Sequence, residues 1–362
     1  MSATPTSLGC EQIPADEAEA IAKLAAQSEI TMRNKSSHPT QRDQHPKSHG
    51  YIQGELVVEG DLPESVRQGL FANPNSYPCW VRFSNGSSKR DPQGKFFPDA
   101  KRQGDDIVVT PDLRGMAVKV LGVTGEMVPE AAGRQGEQDL IMINSPVFFI
   151  RNVVDYLVFF RVMAAIAKGT INLKAQPAVI PAEDVAAVQQ VKYALDLVAR
   201  IQNSEAGVVH SPLQTTFWSA TPYKLGEGAM KYKMVPVTTE PQFDPSHVVE
   251  LDNVFREAIS TQLARTEARF DLLVQVQTDA TTMLIEDPTE PWDETSSPYV
   301  KVASLRLPQQ DINSPSRLAE DECQSFSPWH SLAAHRPLGG VNRARRIYGH
   351  LAQERNKDNQ AG

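Results

Sequence analysis

Apolar residues recur along the chain with two different periods, and the periods divide it into strands near both ends and helices between them. Phe270-Asp271-Leu272-Leu273-Val274-Gln275-Val276-Gln277 approaches the two-residue alternation of a strand with one buried face. Further strands are expected at 51–58, 80–84, 114–120, 139–143, 215–219, 230–235 and 300–307, which carry β-branched and aromatic residues between turn signals. Asn85-Gly86 closes the strand at 80–84 with a tight-turn dipeptide. Helices are expected at 16–27, at the very apolar 152–167, at 182–202, and at 248–266, where Val248, Leu251, Phe255, Ile259 and Leu263 fall at helical spacing. Pro63 is placed to open a short helix ending near Gly69. Segment 87–111 reads as a loop, and another loop passes through Ser327-Pro328-Trp329-His330 to Gly339-Gly340. A basic helix then runs from about 342 to the C-terminus. No internal repeat is present. About eight strands and a central block of helices give an α+β layout that permits a closed antiparallel barrel with flanking helices. Its parts are an N-terminal arm (1–41), a body (42–340) and a C-terminal helix (341–362).

Composition narrows the function classes. The chain has 362 residues, 40% of them hydrophobic, enough for a large core. Its net charge of −8 provides no basic excess for nucleic acid or an anionic membrane. No apolar run reaches the length of a membrane span, and the N-terminus lacks the basic and apolar regions of a signal peptide, so a cytoplasmic protein is expected. Cys10, Cys79 and Cys323 are odd in number and lack metal-type spacing, which fits a reducing compartment. Phosphate-loop and dinucleotide fingerprints are absent; Gly122-Val123-Thr124-Gly125 has neither the spacing nor the following helix.

Two stretches carry candidate chemistry. In Arg42-Asp43-Gln44-His45-Pro46-Lys47-Ser48-His49-Gly50, Pro46 biases His45 toward extended backbone and Gly50 permits a close turn into the next strand. His45 is thus expected at the mouth of a sheet with Arg42 near it, and imidazole exchanges a proton near neutral pH. The alternative is a structural histidine. Pro46 and Gly50 disfavour the helix that would bring His45 and His49 to one metal. In the C-terminal helix, Tyr348 has Arg345 three positions before it and Arg355 seven after, on a similar face. The alternative there is a basic surface helix with one buried tyrosine.

Read in order, the segments resemble the haem catalase superfamily, specifically its smaller catalase-like members, over most of the chain. Arg42-Asp43-Gln44-His45-Pro46-Lys47 resembles the segment of the distal histidine. Val81-Arg82-Phe83-Ser84 is similar to the strand whose arginine binds a haem propionate and whose serine holds that histidine. Arg114-Gly115-Met116-Ala117-Val118-Lys119 and Asn144-Ser145-Pro146-Val147-Phe148-Phe149-Ile150-Arg151 resemble two more family segments, and Tyr348 resembles the proximal iron ligand.

The resemblance implies a catalase-like barrel with a haem pocket, haem b as cofactor, and peroxide plus a small organic electron donor as substrates. Its site residues would be His45 and Ser84 for proton transfer and Tyr348 on iron. Arg42, Arg82, Arg345 and Arg355 would supply positive charge to a phenolate or the propionates, and Phe148 and Phe149 are candidates to pack on the porphyrin. Phenolate is a known axial ligand, and because tyrosine ionises near pH 10 it needs such positive neighbours. The chain departs from the family twice. The arginine expected four before the tyrosine is Ala344, with Arg345 one position on, and Ile143 stands where catalases carry a distal asparagine. The second departure points to a peroxidase acting on hydrogen peroxide or organic hydroperoxides through a ferryl intermediate, with weak catalase activity. Rearrangement of fatty-acid hydroperoxides, as in allene oxide synthases, and a non-enzymatic haem sensor or carrier stay open, as does assembly into a homo-oligomer.

Overall fold

The computed structural model describes residues 7–35, 40–42, 44–86, 96, 98–104, 106–203, 211–237, 240–248 and 250–361. Asp43 and most of the expected loop up to position 97 lie outside them.

Among the described residues eight strands close an antiparallel barrel. They are β1 (Ser48–Val58), β2 (Ser76–Asn85), β5 (Arg114–Leu121), β6 (Glu137–Ile143), β7 (Phe217–Trp218), β9 (Gly228–Val237), β10 (Ala268–Val276) and β11 (Val300–Leu307), paired in that order with β11 returning to β1. β8 (Tyr223–Leu225) pairs with β9 outside the closed ring, and β3 (Ala100–Gln103) with β4 (Asp106–Val109) forms a separate ribbon. The two-residue period explains the closure. Val81, Phe83, Met116, Val118, Leu140 and Met142 project inward and join Phe217, Phe270 and Leu305 in one buried core. Each such side chain contributes roughly 1.5–3 kcal/mol when withdrawn from water.

Helices cover the outside. α1 (Glu17–Lys35) and α2 (Val153–Ala167) pack on each other, as do α2 and α3 (Val185–Asn203). α4 (Val254–Leu263) lies on β1, as does α5 (Pro315–Cys323), and the chain ends in α6 (Gly340–Ala344) and α7 (Ile347–Ala361). A second apolar cluster, with Ile143, Phe148, Val153, Tyr156, Phe159 and Val341 buried in it, fills the space between β6 and these helices. Asn152 caps α2 by accepting a hydrogen bond from the Asp155 amide at 2.9 Å. No described helix is long and apolar enough to cross a membrane.

Several boundaries differ from the sequence reading. The helix expected after Pro63 is absent; instead a tight helical turn spans Gly69–Phe71. Gly69 has a φ of 52°, and the Leu70 amide donates to His335 Nε2 at 2.9 Å, so the chain is drawn into a turn that a continuous helix could not make. The expected loop at 87–111 contains the β3–β4 ribbon, and 315–323, which carried no element, is α5. The expected helix at 248–266 shortens to α4 behind a helical turn at Leu251–Asn253. The basic C-terminal helix is broken after Ala344, so Arg345 and Arg346 stand in the turn between α6 and α7.

Candidate functional site

The site begins with the register of three strands. Ser84 on β2 faces Gly115 on β5, which faces Ile143 on β6. Directly opposed residues of an antiparallel sheet share a face, and since Phe83, Met116 and Met142 point inward, this row faces outward. A Cβ on Gly115 would lie 2.5 Å from Nδ1 and 2.6 Å from Cε1 of His45, and 2.9 Å from Ser84 Oγ. The imidazole therefore occupies the space a side chain would take, between the serine and the isoleucine of the row. Its Nδ1 is 3.0 Å from Ser84 Oγ.

The expected extended backbone at His45 is overturned, because φ is 53°, in the left-handed region. That conformation costs on the order of 1–3 kcal/mol and persists where surrounding bonds over-determine it. Arg82 supplies two of them, donating to the His45 carbonyl at 3.0 Å and the Pro46 carbonyl at 3.3 Å. Burial, then the charges of Arg82 and Arg345, push the His45 pKa down to about 3, against the opposing pull of the Asn85 carbonyl. His45 is neutral at physiological pH. With its Nδ1 proton on Ser84, Nε2 presents a lone pair at the opposite edge of the ring.

Three of the four candidate cofactor arginines come together. Arg82 Nε donates to Asp321 Oδ1 at 2.8 Å. Arg42 donates to the Asp321 and Gln324 carbonyls at 2.7 and 2.8 Å, and Arg355 donates to the same Gln324 carbonyl at 3.0 Å. Burial works to raise the Asp321 pKa, but Arg82 and Arg42 hold it below the usual range. Burial and neighbouring guanidiniums press against the charges of Arg42 and Arg355 in turn. The cluster carries more positive charge than the buried Asp321 and the half-exposed Glu322 supply in return, a donor set suited to additional carboxylates.

Arg345 is placed differently. Its guanidinium lies 3.4 Å from Thr221 Oγ1 and 3.1 Å from Asn342 Oδ1, and 5.9 Å above the Phe148 ring. Because it stands in the α6–α7 turn, helical spacing does not relate it to Tyr348. Tyr348 is half-buried at the edge of the outer apolar cluster, one residue into α7. Arg355 follows it on the same helix by seven residues, about two turns. Phe148 and the half-buried Phe149 stack at 4.6 Å in that cluster. Ile143 is buried there too, while Asn144 turns back to the barrel and accepts from the Arg114 amide at 2.7 Å.

Two contributors escaped the sequence reading. Gly115 carried a usable signal, since glycine inside a strand marks a close approach. Asp321 was reachable through Ser314-Pro315, a cap followed by a first-turn proline; Ser314 Oγ accepts from the Arg317 amide at 3.4 Å.

Neither a protein-family model nor a curated protein matches the chain. Solved structures do. A bacterial catalase matches with a TM-score of 0.60 and 18% identity, over 98% of this chain and 63% of its own. A fungal catalase matches with a TM-score of 0.57 and 17% identity, over 95% of this chain and 64% of its own. The chain thus spans less than two thirds of the length of these catalases. Nearly all of it superposes on them, and the closed eight-stranded barrel with its outer helices is a catalase-like fold.

Proposed function

We propose that the chain is a haem-dependent enzyme that reduces hydrogen peroxide or organic hydroperoxides at the expense of a small organic donor. The observation that carries this reading is His45, seated on Gly115 and 3.0 Å from Ser84 Oγ, beside an apolar cluster that also holds the half-buried Tyr348. The donor set fits haem b. Tyr348 would ligate the iron, Arg42, Arg82 and Arg355 would hold the propionates, and Phe148 and Phe149 would pack on the macrocycle. Bound haem supplies the redox centre at which the peroxide O–O bond is split.

The chain's own residues account for the proton movements. His45 Nε2 takes the proton from one peroxide oxygen and returns it to the other, so that water leaves. Ser84 Oγ can accept from Nδ1–H, the tautomer in which Nε2 presents this lone pair. Ile143, beside His45 in the outer row, has no polar atom with which to orient a second peroxide, and it keeps that side dry. This favours oxidation of an organic donor over release of oxygen. The apolar surroundings of Ile143 and Phe148 also suit a lipid hydroperoxide, and product analysis with such a substrate separates rearrangement from reduction.

The test is the absorption spectrum of the haem-loaded protein before and after one equivalent of peroxide. The reading expects a spectral change that a phenolic donor reverses. A haem-binding protein whose spectrum ignores peroxide is a carrier or sensor, and a protein that takes up no haem overturns the proposal.

A further inference from the structure

A buried polar node lies behind His45 and plays no part in the chemistry above. Asp99 Oδ1 accepts from Lys47 Nζ at 2.6 Å and from Asn85 Nδ2 at 3.0 Å. Asn85 Oδ1 faces His49 Nε2 at 2.6 Å and also accepts from Arg114 Nη1. His49 and Asp99 are each 1% exposed.

The orientation of Asn85 follows from its neighbours. Its amide nitrogen must face the Asp99 acceptor, and its oxygen must face the Arg114 donor. His49 Nε2, facing that same oxygen, must then carry a proton and donate it. In the neutral ring, which burial and the Arg114 charge favour, this leaves His49 Nδ1 as a bare lone pair, 3.7 Å from Asp99 Oδ2, which is also an acceptor. Both atoms are buried, and neither has a hydrogen-bond partner among the described residues. Two buried acceptors facing each other, unsatisfied, cost several kcal/mol unless something lies between them. A single water donating to both atoms at about 2.8 Å would subtend an angle near 80° and would leave the carboxylate ionised, an arrangement that the carboxyl band tested below separates from a shared proton. A proton fits after a closure of about 1 Å.

We propose that His49 and Asp99 share one proton, held on Asp99 Oδ2 and donated to His49 Nδ1, forming a second, buried acid–base pair behind His45. Burial raises the Asp99 pKa against the pull of Lys47, Asn85 and Arg114 on the carboxylate, and burial with the Arg114 charge lowers that of His49 well below its usual value. The charged groups around His49 are Arg114, Lys47 and Arg256, and Asp112 pairs with Arg114 at 3.5 Å.

The pair is joined to His45 through Asn85 and Lys47. Asn85 follows Ser84 on β2, its amide donates to the Lys47 carbonyl at 3.0 Å, and its own carbonyl acts on the His45 ring. Through Lys47, whose carbonyl accepts from the Asn85 amide, and through Asn85, next in the chain to Ser84, Asp99 is a positioning residue for His45.

The test is infrared spectroscopy of the full chain labelled with ¹³C-carboxyl aspartate, at neutral pH, in whatever state of haem loading it is purified, beside Asp99→Asn. The expected result is a protonated-carboxyl stretch in the parent that shifts with the label and is missing from the variant. An asparagine reproduces both the acceptor toward Lys47 and Asn85 and the donor toward His49, so the thermal midpoint should stay within about 3 °C of the parent. Absence of the protonated-carboxyl band overturns the proposal. So does a variant that fails to fold or melts about 5 °C or more lower, the size expected for breaking a buried ion pair in a chain of this length. None of these outcomes depends on whether haem binds, so failure here is separable from failure of the haem reading.

Discussion

The inner and outer faces of β2, β5 and β6 are made from alternate residues of the same strands, yet they obey different rules. Inside, Val81, Phe83, Met116, Val118 and Met142 need only fill volume, and apolar residues of similar size serve as well. Outside, Arg82, Ser84, Gly115 and Ile143 each have a specific neighbour, and the place of His45 depends on the absence of one Cβ. One periodicity secures both faces, and the candidate site residues lie on the outer one, where helices and loops can add a partner.

The comparison breaks most visibly on the inner face. Phe83→Ala should cost about 3–5 kcal/mol of stability by opening a cavity in the barrel. Denaturant unfolding measures it, and a loss below about 1 kcal/mol would mean that the interior is not the stabilising face. On the outer face, His45→Ala should leave stability nearly unchanged and slow the reaction with peroxide by about 10²-fold or more. Gly115→Ala should approach the same loss by displacing the ring. Stopped-flow mixing of haem-loaded variants with peroxide reads both.

Acid should sharpen the contrast further. The folded-state pKa values of His45 and His335 are pushed down to about 3 and about 4, chiefly by burial. Between those values and about 6.5 the unfolded chain binds protons that the folded chain refuses. Stability therefore falls as pH drops from about 6.5, by up to about 2 kcal/mol per histidine at pH 5. Urea unfolding from pH 7 to pH 5 measures this, and His335→Gln should remove its share. The smallest expected effect is at Ile143, where Ile143→Asn should raise oxygen release about tenfold on an oxygen electrode, the worth of one hydrogen bond to a reacting peroxide. Oxygen release already at the rate of a full catalase, and indifferent to this residue, would contradict the assignment.

What was legible in the sequence tracks these two faces. The strands of the inner face announce themselves through period and composition, and seven of the eight barrel strands lie close to their expected ranges. The exception is β7, only Phe217–Trp218, where local pattern could not show how briefly the strand pairs. Among the candidate site residues, Arg42, Arg82 and Arg355 converge although 313 positions separate the first from the last. Arg345 does not join them: it stands in the break between α6 and α7, and its guanidinium lies against Asn342 of its own turn and against Thr221, a distant partner that helical spacing cannot register. The left-handed His45 was hidden for the same reason. Pro46 argued locally for extended backbone, and the Arg82 bonds outweigh it. Asp99 was invisible because its partners Lys47 and Asn85 come from other strands and turns.

Whether Tyr348 holds haem on the outer face of the barrel is read from the ferric absorption spectrum of the haem-loaded protein beside that of Tyr348→Phe. The variant should either lose haem or show a changed ferric spectrum, because it lacks the phenol oxygen proposed to ligate the iron. An unchanged spectrum at full haem occupancy would contradict that assignment.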